Sequence, residues 1–265
     1  MSRDVAAIVP AAGEGRRLAG PRSKLFLLLN GEPLLAHTLR ALQGSPAIRW
    51  IIPVVRSHER PQVEALIERY RLTKALGPRL GGASRAESVA NGVAALPREA
   101  AWVLVHDGAR PCVSAALIQA SVRAAKRQGA VACGLPASVT VKAADERREV
   151  RLTLDRDQLW FVQTPQVFRR DWFVEALARA DHQRSGFPDD AALMESAGFH
   201  VWMVPGDPLN IKVTTPEDVI LAEAILAHRD QKSQKVKGKR QNHKAKGKIE
   251  RQAAESRHRL RHPSI

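Results

Sequence analysis

Apolar positions along the chain follow two alternating rhythms. Short runs rich in Val and Ile, "VAAIV" (5–9), "WIIPVV" (50–55), "WVLVH" (102–106) and "AVACGL" (130–135), have the length and β-branched content of strands buried on both faces. Between them, apolar residues recur at helical spacing over Leu34 to Leu42, Pro61 to Tyr70, Ala86 to Leu96 and Ser114 to Gln128. Ser114 is expected to cap the last of these and Gly129 to stop it. Further on, "TTPEDVILAEAILAHR" puts Thr215 at an N-cap, Pro216 in the first helical position and Asp218 three residues past the cap. Strand, helix, strand in this order predicts an α/β fold: a mostly parallel, Rossmann-like sheet with helices on both faces.

One segment breaks the alternation. Ala137 to Asp157 carries period-two runs on either side of the polar turn "AADERRE", which predicts a projecting β-hairpin arm. A two-stranded arm is marginal alone, so it is expected to pack on a second copy of the chain; a solvated surface hairpin is the alternative.

Charge changes the picture less than its total suggests. The 265 residues carry a formal net charge of +15, but Arg229 to Ile265 alone hold 13 Lys and Arg against 3 Asp and Glu. With almost no large apolar residues, this stretch cannot offset its ordering entropy, so 1–229 is expected to be the folded domain and 230–265 a disordered basic tail able to bind polyanions nonspecifically. No apolar run reaches the roughly 18 to 20 residues of a membrane span, and "MSRDVAAIVP" lacks the charged and apolar regions of a signal peptide. A cytoplasmic location is expected. Cys112 and Cys133 lie outside any C-x-x-C spacing and are expected to be small buried residues.

Ligands of parallel sheets gather at the carboxyl ends of the strands. After "VAAIV" comes "PAAGEGRRLAGPRSK" (10–24), which fails both the G-x-G-x-x-G and the G-x-x-x-x-G-K-[ST] spacing. What remains is a glycine loop whose N–H groups can approach a phosphate chain, with Arg16, Arg17, Arg22 and Lys24 to neutralise it; a triphosphate suits it. After "WVLVH" comes Asp107, one carboxylate, enough to hold magnesium together with phosphate oxygens. His106 has no second His or Cys at ligand spacing and is expected to be structural.

Together "VAAIVPAAGEGRRL", "GGASRAESV", "VLVHDGARP", "LDRDQLW", "TPQVF" and "NIKVTTPEDV" resemble the 2-C-methyl-D-erythritol 4-phosphate cytidylyltransferase family of the non-mevalonate isoprenoid pathway, in order from about Val5 to Leu226. The resemblance implies transfer of CMP from CTP to a polyol phosphate with release of pyrophosphate, a Mg2+ ion, and a homodimer formed through the hairpin arm. It implies that Arg17 and Lys24 stabilise the transition state, that Arg156 and Lys212 position the acceptor, and that Asp107 is the metal ligand. Ala11, Ala12, Gly13, Gly15, Gly82 and Ser88 would line the nucleotide, and Arg110 and Thr140 the acceptor. The chain departs from the family pattern at Ala83, Val139 and Leu209, where Asp is usual, and at Pro188, where Thr is usual. A different acceptor, such as ribitol 5-phosphate, is one alternative. A degenerate enzyme fold binding nucleic acid through its tail is the other.

Overall fold

The computed structural model describes residues 4–13, 23–180 and 186–231. The chain divides into two compact units, Met1–Ala222 and Glu223–Ile265, where composition put the boundary after Arg229. Of the basic tail, 232–265 lie outside the described residues.

The first unit begins with β1 (Val5–Pro10), two short paired strands β2 (Leu28–Leu29) and β3 (Glu32–Pro33), helix α1 (Leu34–Gly44) and β4 (Ile48–Val55). Next come α2 (Arg60–Arg69), β5 (Arg79–Leu80), α3 (Arg85–Ala94), β6 (Trp102–Val105), α4 (Ala115–Gln128) and β7 (Ala130–Pro136). The hairpin arm follows, β8 (Val141–Ala144) paired antiparallel with β9 (Val150–Leu154), inside the expected 137–157. The chain continues through β10 (Trp160–Arg169), α5 (Arg170–Arg179), α6 (Asp190–Ser196) and β11 (Trp202–Pro205), and 216–231 are helical.

Seven strands form one sheet in the order β11-β7-β10-β6-β1-β4-β5. All neighbouring pairs are parallel except those of β10, which runs antiparallel to both β6 and β7. The sheet is mostly parallel, as expected, while β10 is an element that the apolar pattern did not announce: its first three residues are exposed and only the following six are buried.

Burial on both faces explains the continuous apolar runs. In β1, Val5, Ala7 and Val9 join one core with Leu35 and Leu39 of α1 and Ile118 and Val122 of α4. Ala6 and Ile8 join the other with Val89 and Val93 of α3, Phe173 of α5 and Leu193 of α6. The helix ends follow the signals in the sequence. Ser114 Oγ accepts the Leu117 N–H at 3.2 Å. Gly129 ends α4 at φ +90°, a conformation that L side chains rarely adopt. Asp218 Oδ2 accepts from Thr214 N and Thr215 N at 2.8 and 2.9 Å while Thr215 Oγ1 receives Asp218 N at 3.4 Å, a reciprocal cap. Cys112 and Cys133 are both buried, and burial pushes the Cys133 thiol up to about 12. Among the described residues no helix is long and apolar enough to cross a membrane.

Candidate active site

Three strands end together at one edge of the sheet, and their backbones are stitched to one another there. Ala11 N donates to Val54 O at 2.8 Å, Gly81 N to Val55 O at 2.8 Å and Gly108 N to Pro10 O at 3.2 Å. The segments leaving β1, β4 and β6 therefore frame a single cleft of roughly 740 Å³. Ala11, Ala12 and Gly13 form one wall and Gly81, Gly82 and Ala83 the wall beside it. The walls approach closely: a Cβ on Gly81 would lie 2.4 Å from Ala12 Cβ and 2.9 Å from Ser88 Oγ. Ser88 Oγ accepts the Gly82 N–H at 3.1 Å and donates to Ser84 O at 2.9 Å, tying the glycine turn to the start of α3. Arg56 Nε donates to Ala12 O at 2.8 Å and steadies the first wall.

Two lysines remote in sequence reach this cleft, Lys24 and Lys212. Lys24 opens a single turn, Lys24–Phe26, anchored by the buried Leu25. Lys212 is held from both sides, because Val213 N donates to Ala109 O and Arg110 Nη1 donates to Asn210 O, both at 2.8 Å. Asn210 in turn donates to Thr164 O at 2.8 Å.

Asp107 is the centre of charge. Its Oδ2 lies 2.8 Å from Lys212 Nζ and 3.6 Å from Arg110 Nε, and its Oδ1 lies 3.4 Å from Arg85 Nη2. Arg85 also meets Asp190 Oδ2 at 2.9 Å. Burial alone would raise the Asp107 carboxyl, but Lys212 first, then Arg85 and Arg110, outweigh it and hold the group well below the usual carboxylate range. Asp190 differs: burial dominates, and its carboxyl is raised in spite of Arg85.

His106 is fully buried behind Asp107. Its Nε2 lies 3.2 Å from Arg110 O, which can only accept, so Nε2 carries the proton. Nδ1 then accepts from Thr164 Oγ1 at 3.1 Å, and that oxygen accepts the Asp107 N–H at 3.0 Å. Burial, the largest influence, lowers the imidazole to about 4. The structural role expected for His106 is what the geometry gives.

The sequence profile of the 2-C-methyl-D-erythritol 4-phosphate cytidylyltransferase family matches residues 5–228. The chain belongs to this family. A relative of the same description from Syntrophus aciditrophicus is 42% identical over 227 residues, 85% of this chain and 97% of that protein. The crystal structure of 4-diphosphocytidyl-2C-methyl-D-erythritol synthase from Anaerococcus prevotii is 30% identical with a TM-score of 0.74, covering 84% of this chain and 98% of that one. The Thermus thermophilus cytidylyltransferase is 33% identical with a TM-score of 0.68, over 84% and 98%. The chain is thus an enzyme, a nucleotidyltransferase.

Of the site residues that the resemblance implied, Ala11, Ala12, Gly13, Lys24, Gly82, Ser88, Asp107 and Lys212 line the one cleft. Gly15 and Arg17 lie outside the described residues. Arg110 sits behind Asp107, 9% exposed, and serves the Lys212 segment instead of facing the cleft. Thr140 and Arg156 are exposed at the hairpin arm, and Arg156 contacts Ser138 O and Asp157; neither lines the cleft of its own chain.

The metal expectation meets a chemical obstacle. Both Asp107 oxygens face cations of the protein, and among the described residues no group of three or more His, Cys, Asp or Glu stands together. A metal on Asp107 would have to share the carboxylate with Lys212 or displace it. The spacing of motifs also passed over Arg85, Asp190 and Arg56. Arg85 follows the N-cap Ser84 within "GGASRAESV", and that position at a helix start beside a glycine turn was the signal available.

Proposed function

We propose that this cleft binds CTP along its two glycine segments and transfers CMP to 2-C-methyl-D-erythritol 4-phosphate, giving 4-diphosphocytidyl-2-C-methyl-D-erythritol and pyrophosphate. The observation that carries this reading is the meeting of Lys24 and Lys212, from opposite ends of the domain, with the backbone of Ala11 to Gly13 at one strand edge. A phosphate oxygen of the acceptor attacks the α-phosphorus of CTP, a new P–O bond forms and the bond to the β-phosphate breaks, with the electron pair leaving on pyrophosphate. The nucleophile is already an anion, so no general base is needed, and catalysis reduces to alignment and charge stabilisation.

In this reading Lys24, joined by Arg17, stabilises the charge that grows on the α-phosphate. Lys212 holds the acceptor phosphate in line, its Nζ fixed by Asp107 at 2.8 Å. Backbone around Gly82 and Ala83 selects cytosine. Ala83 offers its carbonyl for this, because its N–H is given to Glu87 Oε2 at 2.6 Å. Magnesium belongs here to the triphosphate, whose oxygens are hard ligands, and not to Asp107.

The acceptor side is completed by a second copy. Thr140 and Arg156 stand on an arm whose neighbourhood exposes Val139, Val150, Leu152, Phe161 and Val162, an apolar group that a partner protomer would cover. A homodimer through this arm would carry Thr140 and Arg156 to the partner's cleft. Each of the four NTPs, tested against 2-C-methyl-D-erythritol 4-phosphate, ribitol 5-phosphate and other polyol phosphates by pyrophosphate release, should give turnover only with CTP and the methylerythritol acceptor. Turnover with ribitol 5-phosphate at equal efficiency would overturn the assignment of the acceptor.

A further inference from the structure

From the buried Asp190 into the cleft runs a chain of alternating charges, Asp190, Arg85, Asp107 and Lys212, and the reaction described above uses only its last two members. Arg85 Nη2 spans the two carboxylates, 2.9 Å from Asp190 Oδ2 and 3.4 Å from Asp107 Oδ1. We propose that Arg85 is a positioning residue for the acceptor side of the reaction: anchored on Asp190, it holds Asp107 Oδ1 so that Oδ2 stays turned to the Lys212 ammonium. The inference rests on the reading of Lys212 as the cation that holds the acceptor phosphate.

The anchor is built into the fold. Asp190 is 2% exposed at the start of α6. That helix start is tied to β10, because Gln166 Nε2 donates to Asp189 Oδ2 at 2.8 Å and Gln166 Oε1 accepts the Ala191 N–H at 3.0 Å. Arg85 is the first residue of α3, whose N-cap Ser84 accepts the Glu87 N–H at 3.1 Å. Its guanidinium therefore joins two helix starts to the end of β6.

Removing it has a defined consequence. Asp107 would keep Lys212 and Arg110, but among the described residues Asp190 has no other cation within ion-pair reach. Asp190, already raised by burial, would then be driven to its neutral form, and Asp107 Oδ1 would lose the cation that fixes it. Burial, which by itself lowers the Arg85 guanidinium, is outweighed by Asp190 and then Asp107, so the group stays charged. The competing role for Arg85 is that of a direct ligand to CTP phosphate, since it lines the cleft with its side chain 32% exposed.

The two roles separate in one set of variants of the full chain: Arg85→Gln, Asp190→Asn, Lys212→Gln and the double change Arg85→Gln with Lys212→Gln. CTP affinity is read by calorimetry, and kcat and KM with the methylerythritol acceptor varied. Arg85→Gln should lower kcat/KM for the acceptor roughly 10- to 100-fold, the size of a lost charge-assisted contact, with CTP affinity within about threefold of the parent. Asp190→Asn, which touches no substrate, should lower the same parameter. The double variant should be no worse than Lys212→Gln alone. Weaker CTP binding in Arg85→Gln, or a double variant whose losses multiply, would overturn the inference while leaving the role of Lys212 in place. Unchanged acceptor kinetics in Lys212→Gln would overturn that reading and the inference with it. Should Arg85→Gln fail to fold, Arg85→Lys and Asp190→Asn apply the same test.

Discussion

Acidification from pH 6.5 to 4 should weaken this fold through His106. The imidazole is fully buried, its neutral form satisfied on both sides by Arg110 O and Thr164 Oγ1. Protonating Nδ1 would turn a second donor on the Thr164 hydroxyl, whose proton now points at it, and would set a cation close to Arg110. Burial accordingly lowers the group from 6.5 to about 4. Between those values the unfolded chain binds a proton that the native chain refuses, so stability rises with pH across the window and falls on acidification. At about 1.4 kcal/mol per pH unit the gap is worth at most roughly 3 kcal/mol. For a domain of this size that is a fall of roughly 6 to 12 °C in melting temperature. Two neighbours titrate nearby with other signs or windows. Asp190, raised by burial, makes stability fall as pH rises through its folded value. Asp107, held low by Lys212, Arg85 and Arg110 against burial, loses its contribution only as pH drops below the ordinary carboxylate range. The His106 share is isolated by comparing urea unfolding of the parent with His106→Gln at half-unit steps of pH. The variant should be less stable at neutral pH and should show a shallower loss between pH 6.5 and 4. Equal slopes in the two proteins would refute the buried neutral imidazole.

Lys24→Ala should cut turnover about 100- to 1,000-fold, measured by pyrophosphate release, while far-UV circular dichroism stays that of the parent. Gly129→Ala should destabilise the domain by about 1 to 3 kcal/mol in urea, because the residue sits at φ +90° and its Cβ would fall 2.2 Å from Trp172 Cζ3. Leu152→Asp, at a position 56% exposed in one chain, should leave the fold intact and give a monomer in sedimentation velocity; a dimer of unchanged strength would remove the arm as the interface. Deleting Asp230 to Ile265 should leave turnover unchanged and abolish most nonspecific binding of RNA at low salt. Lost turnover in the folded truncation would assign the tail to the site.

The sequence by itself determined the elements that are buried on two sides or closed by a local signal. β1, β4, β6 and β7 could be found because both of their faces are covered, which leaves an unbroken apolar run. The start and stop of α4 and the cap at Thr215 could be found because a cap is a contact between residues three apart. The glycine loop and Asp107 could be found for a related reason: strand ends are local, and ligands gather there. Tertiary structure decided the rest. β10 enters the sheet antiparallel between β6 and β7, a pairing set by where the chain returns from the hairpin arm, and its exposed first three residues broke the apolar run. Residues 85, 107, 190 and 212 meet only because α3, β6, α6 and the segment after β11 converge, and no spacing along a chain carries that distance. A carboxylate at a strand end suits magnesium or an ammonium group equally well, and only the fold shows that Lys212 stands 2.8 Å from this one.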